Sequence, residues 1–125
     1  MIEENANKCV DLDTCVEWLM ELIKNREDLL ESLKNKSESD FLLDSHHGIG
    51  TGIRNCLGLW FDGKSVPYFN SLGIYHADDM SSMILITLHR KYHGVDVDLK
   101  SQVDEYIKYW EEVDPKVNTG ERSNN

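Results

Sequence analysis

The chain has 125 residues, is 40% hydrophobic and 29% charged, and carries a formal net charge of −10. That composition fits one globular domain large enough to bury a core without disulfides. It excludes non-specific nucleic-acid binding, which needs clustered Lys and Arg, and with no run of 18 apolar residues it excludes a transmembrane helix. The acidic start MIEENANKCVDLD is not a secretory signal. Cys9, Cys15 and Cys56 form no CxxC pair, which argues against a disulfide framework or a cysteine zinc site. The expectation is a reduced, cytoplasmic protein.

Charge is uneven along the chain. Residues 1–45 hold 12 acids and 5 bases, residues 46–94 hold 3 and 4, and residues 95–125 hold 8 and 4. All five histidines and seven of eight glycines fall in the nearly neutral middle. The acidic flanks read as solvated surface.

In chain order, residues 1–12 read as a flexible lead-in, 13–115 as a single helical domain, and 116–125 as a disordered tail. Asp13 is the expected cap of a helix at 14–24, with Val16, Leu19, Met20 and Ile23 on its apolar stripe. A second helix is expected at 26–36, carrying Leu29, Leu30 and Leu33. The polar run 34–40 reads as its exit. Residues 41–58 read as a third helix whose apolar face holds Ile49, Ile53, Cys56, Leu57 and Trp60. Gly48, Gly50 and Gly52 oppose it, each costing about 1 kcal/mol against Ala. They imply close approach of another helix or of a ligand, or a loop that delays the helix to Ile53. Pro67 opens a short helix at 66–72, ended by Gly73.

The clearest helix is 77–93. Asp78 and Asp79 favour its positive end, His89, Arg90, Lys91 and His93 its negative end, and Gly94 suits the left-handed position beyond it. Met80, Met83, Ile84, Thr87 and Leu88 recur at helical spacing, and Leu85 and Ile86 widen the stripe, so contacts on more than one side are expected. A last helix at 98–113 presents Leu99, Val103, Tyr106, Ile107, Trp110 and Val113. The fold class is therefore all-α, a compact single-domain bundle of five to six helices.

The runs GIGTGIRNCLGLW (48–60), YFNSLGI (68–74) and HADDMSSMIL (76–85), with Tyr109–Trp110, resemble a family of short uncharacterised proteins of bacteria and bacteriophages, classed as a domain of unknown function. The resemblance covers about residues 40–115. It departs at Ala77, where the family pattern has proline. It implies a helical fold and no established activity.

Two chemistries compete for the middle segment. His89 and His93 have the i, i+4 spacing of a metal pair, but about 20 Å of helix separates them from His76, Asp78 and Asp79. They read as dipole-compensating surface cations. The alternative is a ligand site built from His46, His47, Arg54, Asn55, Trp60, His76, Asp78, Asp79 and Ser81, with Ser82 nearby, which would suit a small anionic ligand or a protein partner. Against it stands an internal reading, in which Arg54 pairs with Asp78 or Asp79 and Trp60 fills the core. On either reading, residues 46–60 and 76–82 meet.

Cys56 and Ser45 lack a paired-base motif, and no phosphate loop or dinucleotide fingerprint exists. No catalytic residue, metal or cofactor is expected. The function expected is that of a non-enzymatic acidic binding protein, of the kind by which a phage inhibits or sequesters a host component, and homo-oligomers are compatible with it. The alternative is a small metal-dependent hydrolase using the histidines and aspartates of 46–94.

Overall fold

The structure, a computed structural model, describes residues 6–113; the tail at 116–125 lies outside the described residues. Among the described residues seven helices follow one another: α1 (Leu12–Ile23), α2 (Glu27–Asn35), α3 (Glu38–His46), α4 (Ile49–Cys56), α5 (Val66–Ser71), α6 (Ala77–Tyr92) and α7 (Leu99–Val113). The fold is all-α. No helix among the described residues is long and apolar enough to cross a membrane.

The chain joins the core earlier than its pattern suggests, since Cys9 and Leu12 are buried. Asp11, not Asp13, caps α1. Its Oδ1 accepts from the Thr14 amide at 2.9 Å, and Thr14 Oγ1 accepts from the Asp11 amide at 3.0 Å. Thr14 completes this reciprocal box, which no residue three beyond Asp13 could supply. Ser37 caps α3 by accepting from the Asp40 amide at 3.2 Å, so the polar run after α2 contains a helix start.

The expected helix at 41–58 is two helices. Gly48, at φ −92° and ψ −96°, turns the chain between α3 and α4. α4 ends at Cys56 because Gly58 adopts φ +61°. There the Leu59 amide bonds the Arg54 carbonyl and the Gly58 amide bonds the Asn55 carbonyl, the paired closure of a glycine-terminated helix. That early stop sends the chain off the helical face. Ile53 and Leu57 stay buried, while Cys56 and Trp60 are exposed.

α6 is the centre of the bundle. α1, α2, α3 and α4 all pack closely on it, and Met80, Met83, Ile84, Leu85 and Leu88 are buried among them. Burying such a side chain contributes about 1.5–3 kcal/mol. The two histidines at the C-terminal end of α6 divide: His93 is exposed, as expected, and His89 is not. His89 is buried, and its Nε2 lies 2.8 Å from the Lys36 carbonyl, while His93 Nε2 lies 2.8 Å from the Leu33 carbonyl. A carbonyl only accepts, so each Nε2 carries a proton and donates. The two rings, with centroids 4.3 Å apart and planes tilted by 35°, thus satisfy the carbonyl end of α2, which the helix itself leaves unbonded.

Candidate functional site

The start of α6 meets α4, as expected, and Arg54 makes the join. Its side chain is 5% exposed. Nη1 donates to Ser81 Oγ at 2.9 Å; Nη2 donates to the His46 carbonyl at 3.1 Å and to Thr51 Oγ1 at 3.0 Å. Nε faces Asp78 Oδ1 at 3.4 Å but makes no hydrogen bond. Ser81 hands the chain of bonds on by donating to the Asp78 carbonyl at 3.0 Å. One guanidinium therefore ties the end of α3, the first turn of α4 and the first turn of α6 together.

Gly50 makes that possible. A Cβ there would stand 3.0 Å from the Ser45 carbonyl oxygen and 3.2 Å from Arg54 Nη1. Close approach of a helix explains this glycine. It does not explain Gly48 or Gly52, where a Cβ would meet nothing within 4 Å.

The neighbouring aspartates point to different partners. Asp78 is paired with Arg54 and its side chain is 57% exposed. Asp79 is half-buried and accepts from Trp110 Nε1 at 2.8 Å. Burial pushes the Asp79 carboxyl above the ordinary carboxylate range, and the Asp78 charge adds to this; the Trp110 bond and His76 oppose it. His76 stacks on the Trp110 ring, with centroids 3.8 Å apart and planes 17° from parallel. Burial together with the Asp79 charge pushes the Tyr106 hydroxyl up to about 12, and the nearby Ser82 hydroxyl opposes this.

The nine residues singled out from sequence thus divide into three groups. Arg54, Ser81, Asp78 and the backbone of His46 form one internal cluster. His76 and Asp79 form a second with Trp110. His47, Asn55 and Trp60 face solvent, with the His47 ring edge-on to His46 at 4.9 Å. Thr51 and Trp110 are additions. Trp110 was legible as one residue of an apolar stripe, but its partner, 31 positions away, was not. A signal did exist: a carboxylate on the first turn of an otherwise apolar helix needs a donor from a neighbour.

The internal reading holds for Arg54 and Asp78 and fails for Trp60, which is 54% exposed. Trp60 and Phe61, the latter 84% exposed, stand on the loop that follows α4. This loop is braced from within. The Leu59 amide bonds the Arg54 carbonyl, and the Phe61 and Gly63 amides bond the Gly58 carbonyl at 3.1 and 3.0 Å. A Cβ on Gly63 would fall 1.8 Å from the Leu57 carbonyl oxygen, so only glycine closes the loop.

Residues 10–92 match the family described as a domain of unknown function, DUF6794. The chain belongs to that family. The match takes in α1 to α6, with both walls of the His76–Asp79 pair, and stops before α7. No curated protein and no solved structure matches the chain.

Metal chemistry finds no ready ligand set. Among the described residues no three His, Cys, Asp or Glu side chains are grouped to hold an ion, and the His89 and His93 Nε2 atoms are occupied as donors. A separate cavity of about 260 Å³ lies between the start of α1 and the second half of α6. Asp11, Asp13, Tyr68, Thr87 and Lys91 line it with Leu12, Val97 and Leu99. Lys91 is already bonded to Asp13 at 2.8 Å.

Proposed function

We propose that the chain is a non-enzymatic binding protein that engages a protein partner through the corner carrying Trp60 and Phe61. The observation that carries this reading is two adjacent, solvent-facing aromatic side chains on a loop that glycines and backbone bonds hold rigid. Tryptophan is prominent among residues that dominate protein contacts, and a rigid mount spares the ordering cost of binding. Arg54 supports the corner from beneath: its carbonyl anchors Leu59 while its side chain fastens α4 to α6.

The same geometry favours a protein over a small anionic ligand. Both Arg54 Nη atoms are engaged inside the protein, so little of the cation is left for an anion. The net charge of −10 suits a partner with a basic site, by steering the encounter. The bacterial and bacteriophage setting that the resemblance implies supports a host protein in a bacterial cytoplasm as that partner, with its occupation as the mode of action.

The test is a Trp60→Ala/Phe61→Ala double variant. Both side chains are exposed, so the thermal midpoint should stay within about 2 °C of wild type, since surface changes usually move stability by ±0.5 kcal/mol or less. Proximity labelling in the native host should enrich defined proteins with the wild type and lose them with the variant. Identical labelling by the two chains overturns the reading.

A further inference from the structure

α7 is attached differently from the helices around it. α1 to α4 bring their backbones close to α6 and bury aliphatic side chains against it. α7 stands farther off: it adds Val103 to the core, with Leu99 and Ile107 packed against it, and otherwise reaches α6 through long polar side chains. Trp110 grips Asp79 and stacks on His76. Tyr106 lies beside Ser82, and Gln102 Nε2 donates to Thr87 Oγ1 at 3.3 Å. Only Gln102 and Val103 of α7 are buried.

This interface is also imperfectly satisfied. His76 Nε2 and Gln102 Oε1 are shut off from solvent without a hydrogen-bond partner, a state that disfavours the closed arrangement. The link to α7 holds two residues in left-handed conformation, Gly94 at φ +69° and Asp98 at φ +48°, and Val95 and Asp96 between them are exposed.

We propose that α7 is a displaceable cover, and that the slot between His76 and Asp79 is a recognition site for a tryptophan carried on a helix of a partner protein, occupied in cis by Trp110. The chemistry of the occupant is read from what fills the slot. A flat ring stacks on the imidazole, a ring N–H meets the carboxylate, and the helix bearing that ring runs its next turns past Ser82 and Thr87. Both walls of the slot lie within the family-matched segment, and the tryptophan that fills it lies outside it. The partner binds only when α7 lifts, so its apparent affinity is reduced by the fraction of open molecules. This site is separate from the Trp60 corner and does not depend on it.

Hydrogen exchange on the unaltered full chain tests the cover. Amides of 100–113 should exchange at least tenfold faster than those of 83–88. Equal protection of the two segments overturns it. A peptide of residues 99–113 tests the slot. It should bind full-length Trp110→Ala at least tenfold more tightly than wild type. The Trp110→Phe form of the peptide, which keeps a ring but lacks the N–H, should bind at least tenfold more weakly than the natural peptide. Equal affinity for wild type and variant, or for the two peptides, overturns the slot. Free indole separates ring from helix: if it binds Trp110→Ala as tightly as the peptide does, the assignment to a helical partner fails. Should Trp110→Ala not fold, full-length Trp110→Phe, which preserves the stack, takes its place with the same expected differences.

Discussion

Replacing Arg54 by methionine tests whether the buried guanidinium is the clamp its geometry describes. Methionine keeps the unbranched apolar stem of the side chain and removes three hydrogen bonds, to Ser81, Thr51 and the His46 carbonyl. A hydrogen bond to a charged group contributes about 1.5–3 kcal/mol. The full sum does not apply, because two acceptors are partly relieved. Ser81 keeps its bond to the Asp78 carbonyl, and the Thr51 hydroxyl keeps its bond to the His47 carbonyl at 3.0 Å on an exposed residue. Asp78 is mostly in water, so it is not stranded as a buried charge, the situation that makes breaking an ion pair cost 3–5 kcal/mol. Gained apolar burial offsets some of the remainder. The expected loss is about 2–3 kcal/mol, or roughly 8–12 °C in Tm for a domain of this size. Circular dichroism melts and urea titrations measure it. Asp78→Asn, which leaves every Arg54 hydrogen bond intact, should cost no more than about 0.5 kcal/mol. The reasoning is refuted if Arg54→Met melts within 2 °C of wild type. It is equally refuted if Asp78→Asn is as damaging as Arg54→Met, because the ion pair would then be the main connection.

Gly50→Ala and Gly52→Ala should move stability in opposite directions. Both gain about 1 kcal/mol of helix propensity, but only at Gly50 does the new methyl press on the Ser45 carbonyl and Arg54; urea midpoints should rise for Gly52→Ala and fall for Gly50→Ala. Asp79 predicts a pH dependence. Its carboxyl is raised by burial, so the folded state holds the proton more tightly than the unfolded chain. Stability from this group is fully present below the ordinary carboxylate pKa of about 4 and is lost as pH rises through the folded value. Asp79→Asn, which can still accept from Trp110, should therefore match wild type near pH 3.5 and exceed it increasingly above. A wild type that gains on the variant over that interval contradicts the assignment. Comparing the pair cancels the opposite contribution of Asp11, whose carboxyl is lowered by its bond from the Thr14 amide.

The helical class and the dominance of α6 were legible because local signals coincide there. Carboxylates at one end, cations at the other and a terminal glycine mark its limits, and the structure places it at Ala77–Tyr92 against the expected 77–93. What local signals cannot convey is a bond made across the fold. The segment 41–58 carries apolar residues at helical spacing throughout, and it breaks at Gly48, where Arg54 Nη2 reaches back to the carbonyl of His46. His89 and His93 carry the composition of an exposed last turn. Both are tied to α2, His89 buried and His93 exposed, because the unbonded carbonyls of α2 lie opposite, 53 and 60 positions away. Trp60 was misplaced for a local reason: Gly58 closes α4 in a left-handed turn, and a pattern counted at 3.6 residues per turn runs straight through it.

The candidate site was legible as a meeting of segments and illegible as a division of labour. Arg54, Asp78, Asp79 and Ser81 read naturally as one convergent polar set, since a cation, two carboxylates and a hydroxyl are what a pocket for an anion would use. Consecutive residues on a helix, however, point about 100° apart, so Asp78 and Asp79 cannot share a partner from one neighbouring helix. Each therefore faces a different one: Asp78 faces Arg54 of α4, which Ser81 secures, while Asp79 holds the tryptophan of α7. The first turn of α6 thus supports both surfaces proposed for partner binding. The Arg54–Ser81 connection fixes one surface in place, and the Asp79–Trp110 connection keeps the other covered. Removing the acceptor altogether, as in Asp79→Ala, should loosen α7 without disturbing the Trp60 corner, and removing the Arg54 guanidinium should do the reverse.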